Sequence, residues 1–257
     1  VKQDFLSDHR QQPGFRGSPA LQGGKAVPLL LLVLVLAGLT LKYNEVDDAL
    51  TREDIAALAS LLGPAANWPT EKPRLGDWPT QLAQIKKIVS QVYDATPSNA
   101  AIPNGLPREP KDVLQNKGGV CYDRSRLIEK ALASQQFKVR HVALYRQDRH
   151  SSKLASLFVP QVKSHAVSEV RTERGWMLID SLDGWIALDA RANPLSAQQL
   201  ATNADSNFSH LQAASTPEFY KQSFLYVYGL YSRHGNFYPP FTPIPDLNYR
   251  QFLDNFR

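Results

Sequence analysis

The chain opens its hydrophobic pattern with residues 26–41, AVPLLLLVLVLAGLTL, an apolar run with no charged side chain and no polar interruption at helical period. As a helix it would rise about 24 Å at ~1.5 Å per residue, against a hydrocarbon core of ~30 Å, and Lys42 and Tyr43 would extend it at the far interface. Lys2, Arg10, Arg16 and Lys25 precede the run, with Asp4 and Asp8; Glu45, Asp47, Asp48, Glu53 and Asp54 follow it. This charge bias predicts an uncleaved signal anchor, a transmembrane helix over 26–42, with residues 1–25 as a cytoplasmic tail and 47–257 as an extracytoplasmic domain. A cleaved signal peptide would want a small-x-small site, and Ala37-Gly38-Leu39-Thr40-Leu41 matches it poorly.

Beyond the run the periodicity changes. Residues 47–62 predict a helix, with Thr51 and Asp54 as its capping box and Ile55, Leu58, Leu61 and Leu62 on its apolar face. A connector rich in Pro and Trp follows, GPAANWPTEKPRLGDWP. Leu82, Ile85, Ile88, Val89 and Val92 then recur at helical spacing, predicting a helix over about 80–95. After a second Pro-rich stretch, Gly118-Gly119 punctuates the chain and residues 121–135 predict a helix. Ile128 and Leu132 share the stripe of Cys121, which turns the sulfur inward at the first turn.

Three strands are expected next, over 137–145, 164–171 and 176–180, with Thr172 to Gly175 as the turn between the last two. Pairing Arg171 with Trp176 puts His165 opposite Leu182 and makes Asp180 its diagonal neighbour. Slipping the register by two puts His165 directly opposite Asp180. Period-two alternation keeps His165 and Asp180 on one face in either case. The architecture predicted is α+β, helices packed on an antiparallel sheet.

Composition narrows the function classes. The 257 residues carry a net charge of +5 without Lys/Arg runs interleaved with aromatics, so no nucleic-acid partner is expected. The single cysteine excludes an internal disulfide. Six histidines and one cysteine form no metal-ligand spacing, and no acidic loop has a calcium signature, so neither cofactor nor metal is predicted.

Cys121 therefore becomes the centre of the chemical reading. A helix N-terminus favours a thiolate there through unpaired N–H groups and the helix dipole. An imidazole such as His165 can take the thiol proton and later deliver it to a leaving amine. A carboxylate behind it, Asp180, fixes the tautomer and stabilises the imidazolium; Asp183 is the alternative. The backbone N–H of Cys121 is a natural oxyanion-hole donor, and an upstream Trp or Asn side chain could supply the second. Asp123 reads as a complement to the helix N-terminus, although its charge would oppose a thiolate. His141 reads as a packing or hydrogen-bonding residue, His234 as a loop residue, and Trp176 and Trp185 as walls of the core or cleft. His9, His150 and His210 join no constellation.

Gly-Gly-x-Cys at a helix start, Ser-His-Ala on a strand and Trp-x-x-x-Asp on the next strand together resemble the transglutaminase-like superfamily, over about 109–185. The resemblance implies a papain-like fold with a Cys-His-Asp triad, here Cys121, His165 and Asp180. Arg140 resembles the arginine that the family often has after the cysteine helix, whereas Val167 stands where an aromatic is frequent. The tail YSRHGNFYPPFTPIPDLNY is unlike the minimal family core and reads as an extension over the domain or its cleft.

These readings predict a membrane-anchored cysteine enzyme that acts on peptide or protein amides through a Cys121 thioester, foremost a peptidase. The setting expected is the inner membrane of a bacterium, with a substrate in the cell envelope. A protein-glutamine transglutaminase or other acyltransferase, arylamine N-acetyltransferase-like among them, is the second expectation. A non-catalytic envelope-binding module of the same fold is the third.

Overall fold

The computed structural model describes residues 26–65, 68, 78–103, 106–147, 162–202, 217–231 and 246–256. Most of the connector after residue 65, the loop between the first two strands, much of the tail, and His9, His150, His210 and His234 lie outside these residues. The chain divides into two units, Val1–Tyr43 and Asn44–Arg257.

In the first unit, helix α1 covers Ala26–Tyr43. Its leucines and valines are exposed on every side, Leu29 at 63% and Leu34 at 58%. No helix among the described residues is long and apolar enough to cross a membrane. The helix expected over 26–42 forms; a crossing by it is not shown.

The second unit is α+β. Helices α2 (Arg52–Leu62), α3 (Trp78–Ala95), α4 (Pro110–Asn116) and α5 (Cys121–Ser134) precede strands β1 (Lys138–Arg146), β2 (Ser164–Thr172) and β3 (Gly175–Asp180). Helix α6 (Ala197–Thr202), strands β4 (Phe224–Tyr228), β5 (Leu230–Tyr231) and β6 (Asp246–Leu247), and helix α7 (Tyr249–Phe252) complete it. The main sheet runs β3-β2-β1-β4 and is antiparallel throughout.

Local chemistry explains the helix starts. Thr51 and Asp54 form the expected capping box, with Asp54 N donating to Thr51 Oγ1 at 3.1 Å and Thr51 N to Asp54 Oδ2 at 2.9 Å. Because this box sets the start, α2 begins at Arg52 and not at Asp47. Helix α4 was not expected; the signal passed over is Pro110 at the first helical position, with Asp112 accepting from the Glu109 N–H.

One face of the sheet packs on α5, and a core of Ile85, Val89, Val92, Leu127, Ile128, Leu132, Val170, Met177 and Ile179 fills that layer. The opposite face carries Val142, Leu144, Val167, Leu178, Tyr220 and Phe224. Helix α5 is buried well beyond its apolar stripe, for Asp123, Arg124, Arg126, Glu129 and Lys130 are buried as well. Each of these charges has a partner. Arg126 pairs with Glu109 at 2.9 Å and Lys130 with Asp54 at 3.0 Å. Glu129 takes His141 Nδ1 at 2.7 Å and the Tyr231 hydroxyl at 3.0 Å. His141 is thus a buried hydrogen-bonding residue, as expected. The described part of the tail reaches the same helix through Tyr231 and donates nothing to Asp180.

Candidate active site

Gly118 and Gly119 are required by close approach. A Cβ on Gly118 would lie 2.6 Å from the Ser98 carbonyl oxygen, and one on Gly119 would lie 2.6 Å from Asp123 Cβ. The contact with Ser98 is a backbone pairing, in which Ser98 O accepts from Gly119 N at 3.0 Å. From this pairing the chain passes through Val120 into α5, and Cys121 is the first helical residue. Asp123 reaches back to accept the Val120 N–H at 3.0 Å, which completes the helix start.

The charge of Asp123 does not stand alone. It is ion-paired with Arg108, both side chains being buried, and Arg108 also donates to the Ile102 carbonyl at 2.6 Å. Sequence reasoning missed Arg108, because its partner lies across α4 and nothing in their spacing marks the pair. With it the objection that Asp123 would oppose an anion at Cys121 loses force, since a paired carboxylate presents little net charge to its neighbour.

His165 and Asp180 meet on the second sheet face. The observed register pairs Arg171 with Trp176 and Val167 with Asp180, so Asp180 is the diagonal neighbour of His165. His165 Nε2 bonds Asp180 Oδ2 at 2.8 Å, and both side chains are buried. Cys121 also acts on the same ring and favours its protonated form. Burial works against a charged His165, but the Asp180 carboxylate, its hydrogen bond and Cys121 outweigh it and push the imidazole up to about 10. Burial alone would raise Asp180; the imidazolium beside it and the hydrogen bonds from His165, Tyr220 and the Asp183 N–H hold it below its ordinary value.

Asp180 is saturated with donors. Oδ1 accepts from the backbone N–H groups of Leu182 at 2.7 Å and Asp183 at 2.9 Å. Oδ2 accepts from His165 and from the Tyr220 hydroxyl at 2.5 Å. Tyr93 donates to the Asp180 carbonyl at 3.1 Å. Asp183, the alternative carboxylate, offers its backbone to this site, and its exposed side chain makes no bond to His165 among the described contacts. Burial and the charge of Asp180 raise it above its usual range.

A family model described as the transglutaminase-like superfamily matches residues 74–190, a span that holds Cys121, His165 and Asp180. This segment is transglutaminase-like. Among solved structures, arylamine N-acetyltransferase C from Bacillus anthracis is similar at 17% identity with a TM-score of 0.29, over 52% of this chain and 50% of that one. The chain thus spans about half the length of that protein. No curated protein matches the chain.

Within the transglutaminase-like segment, other expected residues take structural positions. Arg140 is buried between Glu169 at 2.6 Å and Asp254 at 3.2 Å, with its guanidinium over the rings of Trp176 and Tyr228. Trp176 therefore covers an ion pair, and Trp185 packs on Tyr220 at 4.9 Å. The Cys121 N–H donates to no group among the described residues. Of the upstream Trp and Asn side chains, Trp68 donates to Gly63 O at 3.0 Å and Asn116 donates to Ala100 O at 3.0 Å and Gly118 O at 3.1 Å. Trp78 is buried at the far end of α3. Asn99 differs, because Arg124 holds its Oδ1 at 2.9 Å and leaves the amide nitrogen unbonded among the described residues. Arg124 also binds the carbonyls of Thr96 and Ser98, so it fixes the loop that pairs with Gly119.

Proposed function

We propose that the protein is a cysteine enzyme of acyl chemistry, foremost an amide hydrolase acting on peptides or proteins. The observation that supports this reading best is the buried His165–Asp180 bond at 2.8 Å, with Cys121, the first residue of α5, among the groups that favour the protonated ring. His165 takes the thiol proton of Cys121, and the Sγ thiolate attacks the substrate carbonyl carbon, forming a C–S bond as the carbonyl pair moves to oxygen. His165 delivers its proton to the nitrogen as the C–N bond breaks, and the amine leaves. Water then attacks the thioester, His165 takes a proton from it, and the acid departs as Sγ is regained. Asp180 keeps the ring oriented through both halves.

The oxyanion formed at each attack would be received by the Cys121 N–H and, in this reading, by the Asn99 amide. Among the described residues both donors are unengaged; Cys121 follows the Gly118-Gly119 segment closely and Asn99 follows Ser98, whose backbone pairs with that segment. A transglutaminase or other acyltransferase would use the same first half and replace water with an amine. Hydrolysis is preferred because water is abundant, whereas an amine acceptor needs its own binding site. A binding module without catalysis would leave the buried, fully bonded Asp180 without a task.

The setting proposed is the cell envelope, with residues 26–42 seated in the inner membrane of a bacterium, residues 1–25 cytoplasmic and the domain outside. The exposed apolar surface of α1 supports membrane association, since uncovered leucines on all sides are costly in water. Fractionation with alkaline carbonate, and a reporter fused after Arg257 that is active only outside the cytoplasm, test this part.

The chemistry is tested by iodoacetamide labelling as a function of pH. Fast labelling at Cys121 below neutral pH, markedly slowed in His165→Ala, is the expected result. Labelling that follows an ordinary thiol titration in both proteins would overturn the catalytic reading. Mass spectrometry of the acyl-enzyme with added hydroxylamine, compared with water alone, separates transfer from hydrolysis.

A further inference from the structure

Asp180 receives two donors on a single carboxylate oxygen, and only one of them belongs to the triad read from the sequence. The second is the hydroxyl of Tyr220, at 2.5 Å from Oδ2. Tyr220 comes from a short 3-10 turn, Glu218–Lys221, just before β4 and beyond the segment matched by the family model. Its side chain is fully buried and packs against Trp185 at 4.9 Å, Phe219 at 5.9 Å and Phe224 at 5.9 Å.

We propose that Tyr220 is a positioning residue: by donating to the Asp180 oxygen that also receives His165 Nε2–H, it sets how tightly Asp180 holds the imidazole proton. The proposal rests on the cysteine-enzyme reading, but its first test does not.

The physical argument concerns how much negative charge Asp180 offers to the ring. A carboxylate oxygen that receives a phenol hydroxyl is a poorer acceptor for a second donor, because the phenol already draws on its lone-pair density. With Oδ1 filled by two backbone N–H groups, Tyr220 is the side chain that tunes Oδ2. Tyr220 is also a permanent donor. Burial, then the charge of Asp180 and its hydrogen bond, hold the phenol proton well above its ordinary range. A ring required only for packing could be phenylalanine, whereas a buried hydroxyl needs an acceptor. Here the acceptor it has is the oxygen that orients His165.

The groups facing this cluster can be named. His165 is faced by Asp180 from β3, Cys121 from α5 and the neutral rings of Phe219 and Tyr220. Tyr220 is faced by Asp180, Asp183 and Tyr93. A mismatch in proton affinity would matter in the second half-reaction. If Asp180 holds the imidazolium too tightly, His165 is slow to act as a base toward water.

The experiment compares the full-length wild type with Tyr220→Phe. NMR titration of the His165 ring, in protein labelled at histidine nitrogen, reads the proposal directly. The midpoint is expected to move upward by about half to one pH unit in Tyr220→Phe, a fraction of the worth of one hydrogen bond to a charged group, because only the part that differs between the two protonation states of the ring is read. The alkaline limb of Cys121 labelling should move with it, and turnover should lose kcat with KM unchanged. An unchanged His165 midpoint in a folded Tyr220→Phe protein would overturn the proposal, whatever happens to turnover. Should Tyr220→Phe fail to fold, fluorotyrosine at the same position strengthens the donor without removing it; the midpoint then falls as the phenol becomes more acidic, and an unmoved midpoint overturns the proposal. If His165→Ala leaves labelling unchanged while the Tyr220 titration shift appears, the cysteine-enzyme reading falls and the positioning role of Tyr220 stands.

Discussion

His165 and Asp180 are not cross-strand partners, yet they share a hydrogen bond of 2.8 Å. Asp180 pairs with Val167 across the ladder, and His165 reaches it along the diagonal from two residues away on β2. A diagonal contact spans more of the sheet than a direct one, and a long ring such as imidazole bridges it. Replacing Asp180 with Asn keeps the shape and removes the charge that holds the ring proton. Asp180→Asn is expected to bring the His165 midpoint down from about 10 toward its ordinary value and to slow Cys121 labelling below neutral pH; NMR titration and alkylation rates check both.

Stability should follow the same pair, with opposite signs at the two ends of the pH scale. His165 is raised above its unfolded value near 6.5, so its contribution is complete below that value and is lost as pH rises through about 10. Asp180 is lowered, so its contribution is present above the unfolded value near 3.8 and is lost as pH falls through its depressed folded value. Melting temperatures across pH 3–11 should fall at both ends (roughly the limits set by these shifts), and His165→Ala should flatten the alkaline fall.

The Arg108–Asp123 pair is buried on both sides, at 3% and 0% exposure. Removing Arg108 leaves an unpaired carboxylate beneath the start of α5. Arg108→Ala is expected to cost about 3–5 kcal/mol in denaturant unfolding, whereas the double variant with Asp123→Asn should recover part of it.

Gly119→Ala forces a Cβ within 2.6 Å of Asp123 Cβ, and Gly118→Ala forces one within 2.6 Å of Ser98 O. Each substitution should cost roughly 1–3 kcal/mol. Gly119→Ala should in addition slow Cys121 labelling, because Asp123 can no longer hold the Val120 N–H at the helix start. Unfolding curves and alkylation rates separate the two effects.

If Asn99 donates to the oxyanion, Asn99→Ala should lower kcat about a hundredfold, with KM and the iodoacetamide rate near those of the wild type. Alkylation passes through no tetrahedral oxyanion, so the contrast between the two rates is the test. A parallel loss in both would place Asn99 in the loop's structure only.

The sequence by itself determined the elements and the face shared by the site. Hydrophobic period marked α3 and α5 to within a few residues, and the Thr51–Asp54 box marked the start of α2. Alternation with period two put His165 and Asp180 on one face whatever the register, since both lie on neighbouring strands joined by a short turn. These are local properties, decided by spacing along a few residues, and spacing is what a sequence displays. Tertiary structure decided which register holds, that Asp123 is neutralised by Arg108, and that the charges of α5 are buried and paired. It also brought Tyr220 to Asp180 from 40 residues away. Those outcomes depend on which distant groups meet in a space closed to water, where a polar atom must find a partner or lose its hydration uncompensated, and that requirement leaves no periodic trace in the chain.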